Sequence, residues 1–225
     1  MTTDDPRSLA GPGTHERAFE LLASYLPDGG LVADLAAGEG AFTKMLLSAG
    51  YTVVAVDCDD TSWKVAGAPL VVKDLDSEFG NGLAAEQERF DAVIAIEIIE
   101  HLENPFRFVR ECSKLLKPNG LLMLTTPNVE SVYSRLVFLY TGRLHSFGEY
   151  ETVRPAHITP LFRWKLQMML DEAGFEIVEE DFVSVVHVPD ASLKIRLTKK
   201  IAGLIDPLFK GSKGAESRIV VARLK

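Results

Sequence analysis

The chain has 225 residues, 47% apolar and 25% charged, which is ordinary for a globular protein and excludes a mainly disordered chain, a fibrous repeat or a small disulfide scaffold. Its 24 Lys and Arg stand against 32 Asp and Glu, a formal net charge of −8, which argues against DNA and makes RNA a poor partner. Cys58 and Cys112 are too few for a disulfide framework or a metal motif, and point to a reducing cytoplasm.

Residues 1–13 are polar and read as a disordered tip; they carry no basic start followed by an apolar run, so no signal peptide is expected. Residues 14–26 read as a helix capped by Thr14, with Ala18, Leu21, Leu22 and Tyr25 on one face. Pro27-Asp28-Gly29-Gly30 breaks it. A buried strand (31–35), a turn of small residues (36–40) and a helix (41–48) stopped by Gly50 follow. A β-branched strand (51–56) ends at Asp57, a third (70–73) at Asp74-Leu75-Asp76, and a fourth covers 90–96.

Asn104-Pro105 opens a helix to about 116, Lys117-Pro118-Asn119-Gly120 is a turn, and 121–125 is a fifth strand. Beyond Asn128 come an apolar helical stretch (129–140), an irregular region (142–160), a helix (161–173) and strands at 175–186 and 218–224. A basic, apolar insert lies at about 190–214. It interleaves Lys194, Arg196, Lys199, Lys200, Lys210 and Lys213 with leucine and isoleucine. It reads either as a helix packed on the sheet or a second subunit, or as a peripheral contact with an anionic membrane. Strands alternating with helices through short Gly/Pro turns predict one α/β domain over 14–225. Its sheet is doubly wound and mostly parallel, with helices on both faces and ligands at the carboxyl ends of the strands.

The strand-turn-helix at 32–47 is the most informative segment. Small residues between a strand and a helix N-terminus let a ligand approach the backbone. The dinucleotide fingerprint fails, because Thr43 follows Gly38 and Gly40 where the third small residue belongs. Asp34, Glu39, Asp57, Asp74 and Glu97 place five carboxylates near one crevice, which would repel a pyrophosphate and suit a cationic, phosphate-free adenosine ligand.

Val32-Ala33-Asp34-Leu35-Ala36-Ala37-Gly38-Glu39-Gly40 resembles the first motif of class I S-adenosylmethionine-dependent methyltransferases, with Ala36 where glycine is usual. The resemblance continues through Asp57, Asp74-Leu75, Phe90-Asp91, the segment from Glu97 to Pro105, Leu116-Lys117-Pro118-Asn119-Gly120 and Thr126-Pro127-Asn128. It implies a seven-stranded Rossmann-like sheet with an antiparallel last strand, and S-adenosylmethionine as cofactor. In that pattern Asp34, Ala36, Gly38 and Gly40 form the loop against the methionine part. Asp57 accepts the ribose hydroxyls, and Asp74 with the Leu75 backbone meets the adenine.

Glu97-Ile98-Ile99-Glu100-His101-Leu102 follows the fourth strand. If it turns helical, Glu97, Glu100 and His101 share a face. The string resembles that of ubiquinone-pathway O-methyltransferases and of small-RNA terminal 2′-O-methyltransferases. Three readings stay open. Glu97 and His101 are a catalytic base pair; or Glu97, Glu100, His101 and His157 hold a divalent cation such as Mg or Mn; or Glu100 and His101 cap a loop. Residues 129–160 read as a lid over the acceptor, with Asn128, Tyr150, Arg154 and His157 as candidate contacts. The expected reaction is O-methylation of a small molecule, lipid precursor or glycan. The rivals are metal-assisted methylation of vicinal hydroxyls, an RNA 3′ end included, and a non-catalytic cofactor-binding regulator.

Overall fold

The apolar runs pair side by side into one sheet because their backbone N–H and C=O groups, once buried, need partners. The computed structural model describes residues 5–86, 88–151, 153, 155–184, 193–209 and 215–225. In chain order the elements are α1 (Thr14–Tyr25), β1 (Leu31–Leu35), α2 (Ala41–Ser48), β2 (Thr52–Asp57), β3 (Leu70–Val72), α3 (Gly80–Glu86) and β4 (Phe90–Ala95). A 3₁₀ turn (Ile99–His101) leads to α4 (Pro105–Leu115), β5 (Leu116–Pro127), α5 (Val132–Thr141), α6 (Arg163–Glu172), β6 (Phe175–Val183), α7 (Leu193–Ile205) and β7 (Ser217–Leu224).

The sheet order is β3-β2-β1-β4-β5-β7-β6. The first five strands are parallel, and β7 runs antiparallel between β5 and β6. Alternate residues feed two cores. Val32, Val53, Ile94, Met123 and Val221 meet α1 and α2 on one face. Ala33, Val54, Val93, Leu122 and Val220 meet α3, α4 and α6 on the other. This is the doubly wound fold the sequence predicts. Among the described residues no helix is long and apolar enough to cross a membrane.

Local departures have physical reasons. Thr14 is the first residue of α1 rather than its cap, since Gly13 takes the cap position at φ 85°. The turn at 117–120 lies within β5 as an excursion. Phe90 pairs with Leu116, and Ala92 next with Leu121. Helix α5 starts three residues later than expected, at the point where Ser131 Oγ accepts from Ser134 N at 3.1 Å. Helix α3 escaped prediction because only Phe79 and Leu83 mark its apolar side. The sixth strand ends at Val183, and its expected continuation at 185–186 lies outside the described residues, as do Lys210 and Lys213.

One ion pair network ties the sheet together at the carboxyl end of β5. Arg218, only 2% exposed, pairs with Glu130 at 2.8 Å and Glu180 at 3.0 Å, so β7 holds both β6 and the start of the region beyond β5. Removing the guanidinium takes a charge partner from two half-covered carboxylates, leaving Glu180 to Arg163 Nε at 3.1 Å and Glu130 to Arg163 N at 2.8 Å. Arg218→Met is therefore expected to lower unfolding free energy by about 2–4 kcal/mol in urea titration.

Candidate functional site at the β1–β4 crevice

Strand order reverses between β1 and β4, and the loops leaving those two strands build the site. After β1 the chain turns sharply. Ala36, Gly38 and Gly40 take φ 61°, 57° and 93°, and Ala36 N and Ala37 N both donate to Val56 O, at 2.8 and 3.2 Å. Gly40 is required by space as well as by φ, since a Cβ there would lie 2.4 Å from Val65 Cγ2. Ala36 holds a left-handed backbone without glycine's freedom, a strained position for an L residue.

Asp57, ending β2, is half-buried beside this loop. One oxygen accepts from Gly38 N at 2.8 Å and the other from Cys58 N at 2.7 Å. Asp34 is buried, and its Oδ2 accepts from Thr43 Oγ1 at 2.5 Å, fastening β1 to α2. Burial, with the nearby Asp57 charge adding to it, pushes the Asp34 carboxyl up to about 7. Asp74 is exposed and accepts from Asp76 N at 2.9 Å, while Leu75 turns its side chain into the core.

Glu39 is covered. Arg7 donates to it from Nε at 2.8 Å, from Nη2 at 2.6 Å and from its backbone N at 2.9 Å, and Lys64 Nζ adds a bond at 2.7 Å. These two cations hold the Glu39 carboxyl down at about 2. The stretch from Asp5 onward, expected to be a loose tip, thus lies against the loop, with Leu9 Cδ1 3.5 Å from where a Gly38 Cβ would sit. The crevice is therefore less acidic than the five carboxylates suggest. Glu39 is neutralised by Arg7 and Lys64, and Asp34 is turned inward.

The exit of β4 is as bent as that of β1. Glu97 takes φ 48°, so the segment is not a continuous helix and turns only at Ile99–His101. Thr125 Oγ1 accepts from Glu97 N and donates to Glu97 Oε1, both at 2.8 Å. Glu97 and Glu100 lie against each other. Burial raises both carboxyls, and the neighbouring Glu97 charge lifts Glu100 further. Glu100 is fully buried, and neither of its oxygens has a hydrogen-bond partner among the described residues.

Residues 156–159 close over this turn. Ile158 N and Thr159 N donate to Glu100 O at 2.9 and 3.0 Å. His101 Nδ1 faces Ala156 O at 3.1 Å, and His157 Nδ1 faces Ser146 O at 2.6 Å. Nδ1–H donation to those carbonyls leaves each Nε2 with its lone pair. The two rings meet edge to face at 4.6 Å, and burial, then His157, pulls the His101 pKa down. Ligand atoms of Glu100, His101 and His157 all lie within 4.8 Å of one another.

The other expected acceptor contacts are dispersed. Asn128 is buried and structural, donating to Ala215 O at 3.0 Å and accepting from Glu130 N at 3.2 Å. Tyr150 is 90% exposed. Arg154 lies outside the described residues. Sequence reading missed Thr125, Arg7 and Lys64. A hydroxyl closing a strand and two scattered cations carry no pattern until the fold brings them to Glu97 and Glu39.

Comparison with known proteins agrees with this geometry. A family model described as a methyltransferase domain matches residues 10–180. A probable S-adenosylmethionine-dependent methyltransferase of Mycolicibacterium smegmatis is 29% identical, over 77% of this chain and 61% of its own. The ubiquinone biosynthesis O-methyltransferase of Caulobacter vibrioides is 32% identical, over 47% of this chain and 44% of its own. The chain thus spans about half the length of the curated relatives it matches. Among solved structures, an S-adenosylmethionine-dependent methyltransferase from Archaeoglobus fulgidus aligns with TM-score 0.62 at 20% identity, over 93% of this chain and 94% of that one. The 1,6-didemethyltoxoflavin-N1-methyltransferase of Burkholderia thailandensis, with bound S-adenosylhomocysteine, aligns with TM-score 0.62 at 17% identity, over 94% of this chain and 78% of that one.

Two stability effects follow from the loop. Ala36→Gly removes a left-handed alanine at the cost of unfolded-state entropy, and is expected to raise stability by about 0.5–1 kcal/mol in urea titration. Asp34 binds its proton more tightly folded than unfolded, so its contribution is complete below about pH 4 and lost as pH rises through about 7. Asp34→Asn should therefore gain on the native protein as pH rises from 4 to 8; parallel stability–pH curves would remove the buried-acid assignment.

Proposed function

The chain belongs to the methyltransferase domain family, and from that premise we propose that it transfers the methyl group of S-adenosylmethionine to a hydroxyl oxygen of a small-molecule, lipid-precursor or glycan acceptor. When bound, the cofactor supplies an electrophilic methyl on a sulfonium whose sulfur retains the electron pair of the broken bond. The residues present fit it. The turn with left-handed Ala36, Gly38 and Gly40 offers small residues for the methionine part to approach, beside the stretch from Asp5 to Leu9 that also lies against it and with Asp57 at its edge. Each Asp57 oxygen accepts one backbone N–H and keeps a second lone pair, enough to receive the ribose hydroxyls as well. Asp74 and the Leu75 backbone serve the adenine.

The observation that carries the oxygen acceptor is His101. Its Nδ1 is engaged by Ala156 O, so the tautomer is set and Nε2 is a base beside the exit of β4. A hydroxyl is a poor nucleophile until its proton leaves. In this reading His101 Nε2 would take the proton of the acceptor hydroxyl, leaving its oxygen the nucleophile for the methyl that the cofactor would supply. Glu97 orients the acceptor from the adjoining turn, and residues 155–160 exclude water from above. The wall of the site is fastened to the sheet by Thr125, so the alignment that in-line transfer needs is built in before the acceptor arrives.

A second reading has its own observation. Glu100, His101 and His157 present one carboxylate and two imidazoles within 4.8 Å, with both Nδ1 atoms facing carbonyls, an outer arrangement common around metal-bound histidines. The orphaned carboxyl of Glu100 fits a cation as well as it fits a proton. Glu97 falls outside that trio. A divalent cation there would favour an acceptor with adjacent hydroxyls, an RNA 3′ end included, although the chain's acidity disfavours RNA.

Calorimetric titration with S-adenosylhomocysteine tests the first part, repeated with magnesium, manganese and a chelator. Micromolar binding is expected, and Asp57→Ala is expected to weaken it ten- to hundredfold; no binding by the native chain overturns the reading. His101→Ala is expected to leave that affinity intact and to cut methyl transfer from labelled cofactor at least a hundredfold. Full turnover in His101→Ala makes the ring structural, and binding heat that requires manganese or magnesium moves it to the metal reading.

A further inference from the structure

Helix α7 presents its apolar side to solvent. At about 100° per residue, Leu193, Leu197 and Leu204 fall within roughly 40° of one another, on the side opposite Ala202. Ala202 is the one buried residue among those of α7, whereas Leu193, Leu197 and Leu204 are 82, 56 and 80% exposed. The tip of α5 continues the patch. Lys194 Nζ donates to Tyr140 Oη at 2.7 Å, which sets the exposed pair Leu139 and Tyr140 beside the start of α7. A leucine row of this kind on an ordinary solvated helix would be costly.

The charges carried on the two helices have one sign, with Asp206 just past the end of α7 and Glu216 beneath it. Helix α7 carries Lys194, Arg196, Lys199 and Lys200 and no acidic residue, and α5 carries Arg135 with Arg143 just beyond, again with no acid. The whole chain is nonetheless acidic by eight charges. Arg196 and Lys200 flank the leucines on one side and Lys194 on the other, where they would reach phosphates while the leucines enter the acyl boundary. Lys199 alone faces inward, paired with Glu216 at 2.5 Å.

We propose that the α5–α7 face docks on an anionic lipid bilayer, with α7 lying in the interface plane. The face belongs to the same end of the sheet as the crevice, because β7 begins at Ser217, opposite Pro127 at the end of β5. Docking would thus put the acceptor end against the membrane. The inference stands apart from the chemistry proposed above, and its test does not use turnover.

The test is flotation of the full chain with vesicles of phosphatidylcholine alone or with roughly 30% phosphatidylglycerol. Binding to the anionic vesicles only, weakened by salt, is expected. The triple substitution Leu193→Ser, Leu197→Ser, Leu204→Ser and, separately, Arg196→Glu with Lys200→Glu should each reduce it at least about tenfold. The substituted side chains face outward, so thermal melting and S-adenosylhomocysteine binding should stay as in the native chain. Binding unchanged by both sets, or no binding to anionic vesicles, overturns the proposal. So does a solution dimer that the serine variant dissociates in the absence of vesicle binding, since a second copy would then cover the leucines.

Discussion

Everything functional here depends on the reversal of strand order between β1 and β4. Parallel neighbours need crossover connections of one hand, so a chain that grows a sheet first one way and then the other sends its helices to opposite faces. Where the two directions part, the carboxyl ends of β1 and β4 lie adjacent with no helix crossing between them. Both strands leave that point through a non-glycine residue with a left-handed backbone, Ala36 on one side and Glu97 on the other. Such residues persist only where the surroundings hold them. At Ala36 the holding group is the Val56 carbonyl, and at Glu97 it is the Thr125 hydroxyl.

The charges of the crevice are managed by three different means. Glu39 is neutralised by Arg7 and Lys64. Asp34 is withdrawn from water and given a hydroxyl donor. Glu97 and Glu100 are packed close enough, and dry enough, that the protonated form gains ground on both. Asp57 keeps an ordinary, half-open position with lone pairs to offer. The same acidic residues that looked equivalent along the chain therefore differ in what they can bind.

The outer layer at this end is built differently from the sheet. The sheet is sealed on both faces, and Arg218 draws β6 and the region after β5 together from beneath. Above it, α5 and α7 touch the body through few buried side chains and keep their largest apolar groups outward. A layer so arranged is unfinished without something to lie against.

The apolar runs between short Gly/Pro turns made a doubly wound, mostly parallel sheet and the small-residue turn at 36–40 legible, because strands buried on both faces read as continuous apolar runs and left-handed turns favour glycine, and neither signal needs a distant partner. The count of seven, with the last strand antiparallel, came from the family resemblance. Glu97, Glu100 and His101 were legible as chemistry-bearing residues from their types at helical spacing, and His157 from the family resemblance. What only the tertiary structure decided was which of them meet. A helical spacing placed Glu97 with Glu100 and His101, but the left-handed Glu97 breaks that helix, and it is the return of the chain at 156–159 that brings His157 to His101 instead. Arg7 and Thr125 became part of the site only through folding, since a long-range ion pair or a strand-end hydroxyl leaves no periodic trace in the chain. The same holds for Leu193, Leu197 and Leu204. Their spacing announces an amphipathic helix, but which side faces out depends on what the sheet offers as a partner, and here Ala202 is the residue of α7 that is buried while the leucines stay outside.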